Sequence, residues 1–184
     1  MEINIGSKKI LAGLQILTWV IFIGLCVEAG GIIFNTCFVF FFNEEAVHQF
    51  WMNIDLSALF LYDKGQFLAI AIFMVIVAVL KAFMFYLILK LFLNKSFDFS
   101  NPFNAILEKL ISLLAYVALG IGLFSSWGLK YAEWLNTKAL LIPSIHHLKL
   151  GGADVWLFTA VIFLVIAQIF KRGIEIQTEN DLTV

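Results

Sequence analysis

A chain of 184 residues is long enough for one ordinary folded core, yet 62% of it is hydrophobic, only 14% is charged, and twenty residues are Phe. A soluble domain has about 45–50% apolar and about 25% charged residues, so most of this apolar surface must face lipid. The formal net charge of -1 lacks the excess of Lys and Arg that a nucleic-acid-binding surface requires, and that class is set aside.

A hydrocarbon slab about 30 Å thick takes about twenty apolar residues of helix, with every backbone group satisfied inside the helix. Four segments qualify, at about 10–42, 67–93, 103–127 and 155–170. The expected fold class is therefore all-α: an integral membrane four-helix bundle with amphipathic outer segments. The first span is too long for a signal-peptide core and carries Glu28 and Asn35, so it reads as retained, with the mature chain beginning near Met1. Cys26 and Cys37 both fall in it. They are about 16 Å apart along a helix, beyond disulfide reach, and are expected as free, buried thiols.

After the first span, Val47, Phe50, Trp51, Ile54, Ala58 and Leu61 recur at helical spacing opposite Glu44, Glu45, His48 and Asp55. That pattern predicts an amphipathic surface helix. Ser100 or Asn101 is expected to cap the third span, with Pro102 in its first turn. The stretch 131–148 is a less regular amphipathic segment interrupted by Pro143. Both outer segments are expected to lie on the outer leaflet or cap the bundle. Gly151 and Gly152 break the chain, Asp154 suits the start of the fourth span, and Lys171 and Arg172 close its far end. Residues 174–184 remain as an acidic tail.

Lys8, Lys9, Lys90, Lys95, Lys171 and Arg172 fall on one side of such a bundle, whereas the first long loop holds Glu44, Glu45, Asp55 and Asp63 with Lys64. The positive-inside rule then predicts both termini in the cytoplasm, although Lys130, Lys138 and Lys149 pull the other way. Trp51, Trp127, Trp134 and Trp156 fall at the outer ends, as an interfacial aromatic belt requires.

Glu28 and Lys81 are the ionisable side chains deep inside the spans, where a charge costs about 2.5–3.5 kcal/mol on insertion scales. Counted from the flanking lysines, both fall near mid-membrane in antiparallel neighbours. They read either as an ion pair that fixes helix register or as part of an ion or proton route. Ala29, Gly30 and Gly31 follow Glu28 and allow a kink or a close approach, and Ala78 with Ala82 and Ala118 with Gly122 form small-residue faces for packing within the bundle or between copies. His48, His146 and His147 lie outside the spans and lack metal-site spacing, and neither HExxH nor GxSxG occurs. No catalytic residue, metal or cofactor is expected.

The segments FDFSNPFN (97–104), LKAFMFYLILKLF (80–92) and QIFKRGIEIQTENDLTV (168–184) resemble a family of four-span bacterial membrane proteins known as a domain of unknown function. Its members typically end in ENDLT plus Val or Ile. EAGG (28–31) and GGADVWLF (151–158) resemble the Bacteroidetes-like branch. The resemblance implies a bacterial inner-membrane location, supplies no activity, and suggests a membrane partner for a regulatory circuit. It also makes Glu175, Glu179, Asn180, Asp181 and Leu182 candidate contacts, docking either on the basic span ends, including Lys90, Lys95 and Arg172, or on a cytoplasmic protein. The expected function is a non-catalytic regulatory, accessory or protective interaction partner that lives in the lipid bilayer and self-associates. The alternative is a small ion or proton channel or transporter using Glu28 and Lys81.

Overall fold

The computed structural model describes the backbone of residues 3–94, 104–138 and 148–181, with side chains for 9–94, 104–138 and 148–179. In chain order these form α1 (Ile3–Phe41), two 3₁₀ turns (Glu44–Gln49 and Trp51–Asn53), α2 (Ser57–Tyr62), α3 (Lys64–Leu93), α4 (Ala105–Asn136) and α5 (Ala153–Asp181). The four long helices α1, α3, α4 and α5 are each long and apolar enough to cross a membrane. Consecutive long helices run antiparallel. One end of the molecule, the loop end, carries residues 42–63 and 148–152; the other, the terminal end, carries the start of α1 and the end of α5.

Three polar side chains inside α1 are satisfied on their own helix. Thr18, Asn35 and Thr36 donate to the carbonyls of Leu14, Gly31 and Ile32, four residues back, at 2.8, 2.8 and 2.7 Å. Such back-bonding lets a polar group sit in lipid without an outside partner. Asp63 caps α3 by accepting from Gly65 and Gln66 backbone N–H groups, and Asn104 caps α4 by accepting from Leu107 at 2.9 Å. The α4 cap therefore falls at Asn104 rather than at Ser100 or Asn101, which lie with Pro102 outside the described residues. An Asn oxygen that reaches the third N–H of the helix performs the capping that the sequence pattern assigned upstream.

α1 packs on α3, α3 on α4, and α4 on α5; among the described residues no other pair of long helices comes together. Within the expected all-α fold of four long helices, the described contacts form an open row with α1 and α5 at its edges. In lipid no hydrophobic force draws the two edge helices together, so contact follows shape. Shape is supplied on α4, where Ala115, Ala118 and Gly122 are buried. A Cβ on Gly122 would stand 2.7 Å from Leu157 Cγ, and one on Gly128 would stand 2.9 Å from Leu150 and 3.2 Å from Phe73. The Ala118–Gly122 face is thus used within the chain. Cys26 and Cys37 are free but exposed on α1, not buried, because an edge helix has a neighbour on one side only.

These contacts fix the register. Leu157 opposite Gly122 and Leu150 opposite Gly128 bring the first turn of α5 level with Ser125. α4 continues from there to Asn136, about 16 Å further at 1.5 Å per residue. On the other side, Phe22 meets Tyr86 and Phe40 meets Phe67, with ring centroids 6.3 and 6.0 Å apart.

The loop end is closed by an aromatic cluster centred on Phe67, which is fully buried. Phe40, Phe50 and Phe60 surround it at 6.0, 5.7 and 5.2 Å, the last two edge-on, which is a favoured arrangement of ring quadrupoles. The single amphipathic helix expected here is absent. Met52 (φ 54°) and Asn53 (φ 61°) turn the chain through two consecutive left-handed residues, and Phe50 N–H donates to the Ile54 carbonyl at 3.0 Å. The turn lets Val47, Phe50, Ile54 and Leu56 all reach the cluster, whereas one straight helix would put its apolar face on a surface. Of the expected stripe, Trp51 is half-buried, and Ala58 and Leu61 are exposed.

Candidate functional site

Lys81 sits on α3 in a polar niche that the sequence did not announce. Its ammonium donates to the Lys149 backbone carbonyl at 3.2 Å. Lys149 is itself left-handed (φ 58°), as is Gly152 (φ 80°), and both belong to the segment that dips back toward the bundle before α5 begins. Leu148 and Leu150 on either side are fully buried and anchor that segment. Lys81, Lys149, Gly151 and Gly152 line a cavity of about 250 Å³. The GG pair before a helix was legible as a break; that its preceding carbonyl would cap a lysine from another helix was not.

Glu28 is half-buried on α1, and the Phe22–Tyr86 and Phe40–Phe67 pairings put it level with residues 79–80 of α3. It is near enough to act on Lys81 electrostatically, yet among the described residues no ion pair within 4.0 Å joins the two. Equal height does not guarantee facing rotation. The Lys81 ammonium is drawn along α3 toward the loop end, where the carbonyl neutralises part of its desolvation cost. Measured on α5, the Lys81 level is that of residues 158–159, about 8 Å from the helix start.

One turn from Glu28, Gly31 is covered by the Trp51 indole, which pins the second 3₁₀ turn onto α1. Among the described residues, Trp51 Nε1 is buried without a hydrogen-bond partner, as is Ser125 Oγ, which lies on the α4 face between Gly122 and Gly128. Neither was singled out for such a role in the sequence.

The tail candidates sit on α5. The helix does not end at Lys171 and Arg172 but runs to Asp181, because Ile-Glu-Ile-Gln-Thr-Glu contains no breaker after Gly173. Arg172 pairs with Glu175 at 3.0 Å along the helix. Residues 175–179 are exposed all round, and among the described residues no ion pair joins Glu175 or Glu179 to Lys90. Asn180 and Asp181 are helical in backbone; Leu182 and Lys95 lie outside the described residues.

At the loop end His48 Nδ1 lies 3.7 Å from Asp55 Oδ2, and Lys64 pairs with Glu44. Asp55 Oδ1 accepts from the Ser57 backbone N–H at 2.8 Å. Hydrogen bonds from Ser57, then the neighbouring His48, hold the Asp55 carboxyl below its ordinary value. His146 and His147 lie outside the described residues, and among those described no three His, Cys, Asp or Glu side chains converge as a metal site would require.

No curated protein and no solved structure matches the chain. A family model for a protein of unknown function, DUF2975, matches residues 43–184, which takes in Lys81, the Lys149 segment and all of α5 but not Glu28 or Gly31. The chain belongs to the DUF2975 family of proteins of unknown function.

Proposed function

We propose that this is a non-catalytic, multi-pass protein of a bacterial inner membrane, with both termini in the cytoplasm, that serves as a regulatory or accessory interaction partner through the projecting end of α5. The observation that carries the reading is that helix. From Lys171 to Asp181 it extends about 15 Å past the apolar stretch, and residues 175–179 are all exposed. A rigid acidic rod bearing an exposed Ile176 (46% accessible) between Glu175 and Glu179 suits a basic, partly apolar surface on a second protein. Of the chain's own basic span ends, Arg172 takes Glu175 on the same helix, and among the described residues no ion pair joins Glu179 to any of them.

A photo-crosslinking residue at position 176 in native membranes tests this. A discrete adduct is expected, abolished by Glu175→Lys with Glu179→Lys. An adduct-free profile, or one unchanged by the charge reversal or by deletion of 174–184, would remove the tail from the function.

A second reading, an ion or proton route through Glu28 and Lys81, draws support from their equal height and from the cavity beside Lys81. An open row of helices gives one copy no enclosed lumen, so this reading needs a second copy to close the path. Flux through reconstituted vesicles that Glu28→Gln leaves intact would end it.

A further inference from the structure

At the terminal end, α3 and α4 splay to form a cleft of about 200 Å³. Its floor is apolar, with Leu87 and Leu91 from α3 facing Leu110 and Leu113 from α4. Its rim is cationic: Lys90 stands in the last turn of α3, and Lys109 lies in the second turn of α4. One lysine thus comes from each wall, and among the described residues no carboxylate lines the cleft. The nearest acid by sequence, Glu108, accepts a hydrogen bond from Ser112 at 3.1 Å along its own helix.

We infer that this cleft binds one anionic phospholipid, with its phosphate between Lys90 and Lys109 and an acyl chain along the leucine floor. Three features favour that occupant over a protein segment or a free anion. The cleft opens at the ends of two membrane-spanning helices, where headgroups lie. Its apolar floor continues along the helices, as an acyl chain does. The positive end of α4, a helix of 32 residues, adds to the field of the two ammonium groups. Basic pockets between spans recognise acidic headgroups by this combination, with each lysine near the surface contributing about fivefold. The inference does not depend on the tail's role.

The test uses the full chain purified in mild detergent, with native mass spectrometry and thermal unfolding after addition of phosphatidylglycerol, phosphatidylcholine or glycerol phosphate. Phosphatidylglycerol is expected to be retained and to raise the melting temperature. Lys90→Gln with Lys109→Gln should weaken its retention about 25-fold. Lys171→Gln with Arg172→Gln, an equal charge change on α5, should not. Leu113→Trp, which fills the floor and leaves the charge alone, should also displace the lipid. Equal retention of phosphatidylcholine, an unaltered response in the Lys90/Lys109 variant or in Leu113→Trp, equal loss in the α5 control, or glycerol phosphate acting as well as the lipid would each overturn the assignment.

Discussion

The benzo edge of Trp51 covers Gly31 so closely that a Cβ at position 31 would stand 2.1 Å from Cζ3 and 2.3 Å from Cε3. A ring cannot yield as the end of a flexible chain does, so Gly31→Ala must expel it. Overpacking of this kind costs about 1–3 kcal/mol. The expected outcome is a lowered melting temperature and a red-shifted tryptophan emission, with Gly30→Ala as a control, since a Cβ on Gly30 meets nothing within 4 Å. An unshifted Gly31→Ala spectrum would mean that the indole sits elsewhere.

Glu28 acts on Lys81 through space without a direct ion pair among the described residues, so the two should couple only weakly. Lys81→Met frees the Lys149 carbonyl and is expected to destabilise by about 1–3 kcal/mol. Glu28→Gln should cost less, the double neutral variant should equal the sum of the two, and the Glu28→Lys with Lys81→Glu exchange should not recover the loss. Thermal unfolding of all four in one detergent decides it: rescue by the exchange would establish a direct pair.

Ser125 is wholly buried, and among the described residues its hydroxyl has no partner. Removing an unsatisfied polar group from a packed seam relieves its desolvation cost, of order 1–3 kcal/mol. Ser125→Ala is therefore expected to leave the melting temperature unchanged or raise it, whereas Ser125→Leu should separate α4 from α5 and lower it. A clear loss in Ser125→Ala would show that the hydroxyl holds something.

Asp55 titrates below the ordinary carboxylate value of 3.8, chiefly through its hydrogen bonds with Ser57. A depressed acid stabilises the fold above the unfolded-state value, and that contribution disappears as pH falls through the lowered folded value. Since the carboxylate is mostly exposed, the effect on the whole molecule is small. Carboxyl NMR should follow Asp55 titrating below 3.8 in the intact chain and moving back upward in Ser57→Ala. A titration at 3.8 or above in the intact chain contradicts the geometry.

Hydropathy and length located every long helix, because lipid demands a continuous apolar run and little else has that signature. Asp154 marked the start of α5 for an equally local reason, the dipole of a helix N-terminus. Counting residues also put Glu28 and Lys81 at one height. What counting lacks is the partner that folding brings in from elsewhere: Lys81 donates to the Lys149 carbonyl, 68 positions away. The left-handed pair Met52–Asn53 was invisible to a 3.6-residue period, since the period is satisfied by the same apolar residues that the turn folds around Phe67. Gly31 was readable as a small residue; the ring that makes it necessary lies twenty positions away across a turn the sequence did not foretell. The helical tail was hidden by its polarity, which says where the membrane ends and nothing about where the hydrogen-bonded helix does.

The two edges of the row differ in height. From Ala153 to Phe170 the apolar part of α5 measures about 27 Å, whereas the apolar run from Lys9 to Phe41 on α1 measures about 50 Å. A bilayer core of about 30 Å fits the first without adjustment, and the second must tilt or emerge. Lipids along one flank therefore meet a hydrophobic wall of nearly their own thickness, and those along the other meet one far taller. The inclination of the whole row is a compromise between the flanks, so longer acyl chains should rotate α1 upright at the expense of burying the charged start of α5.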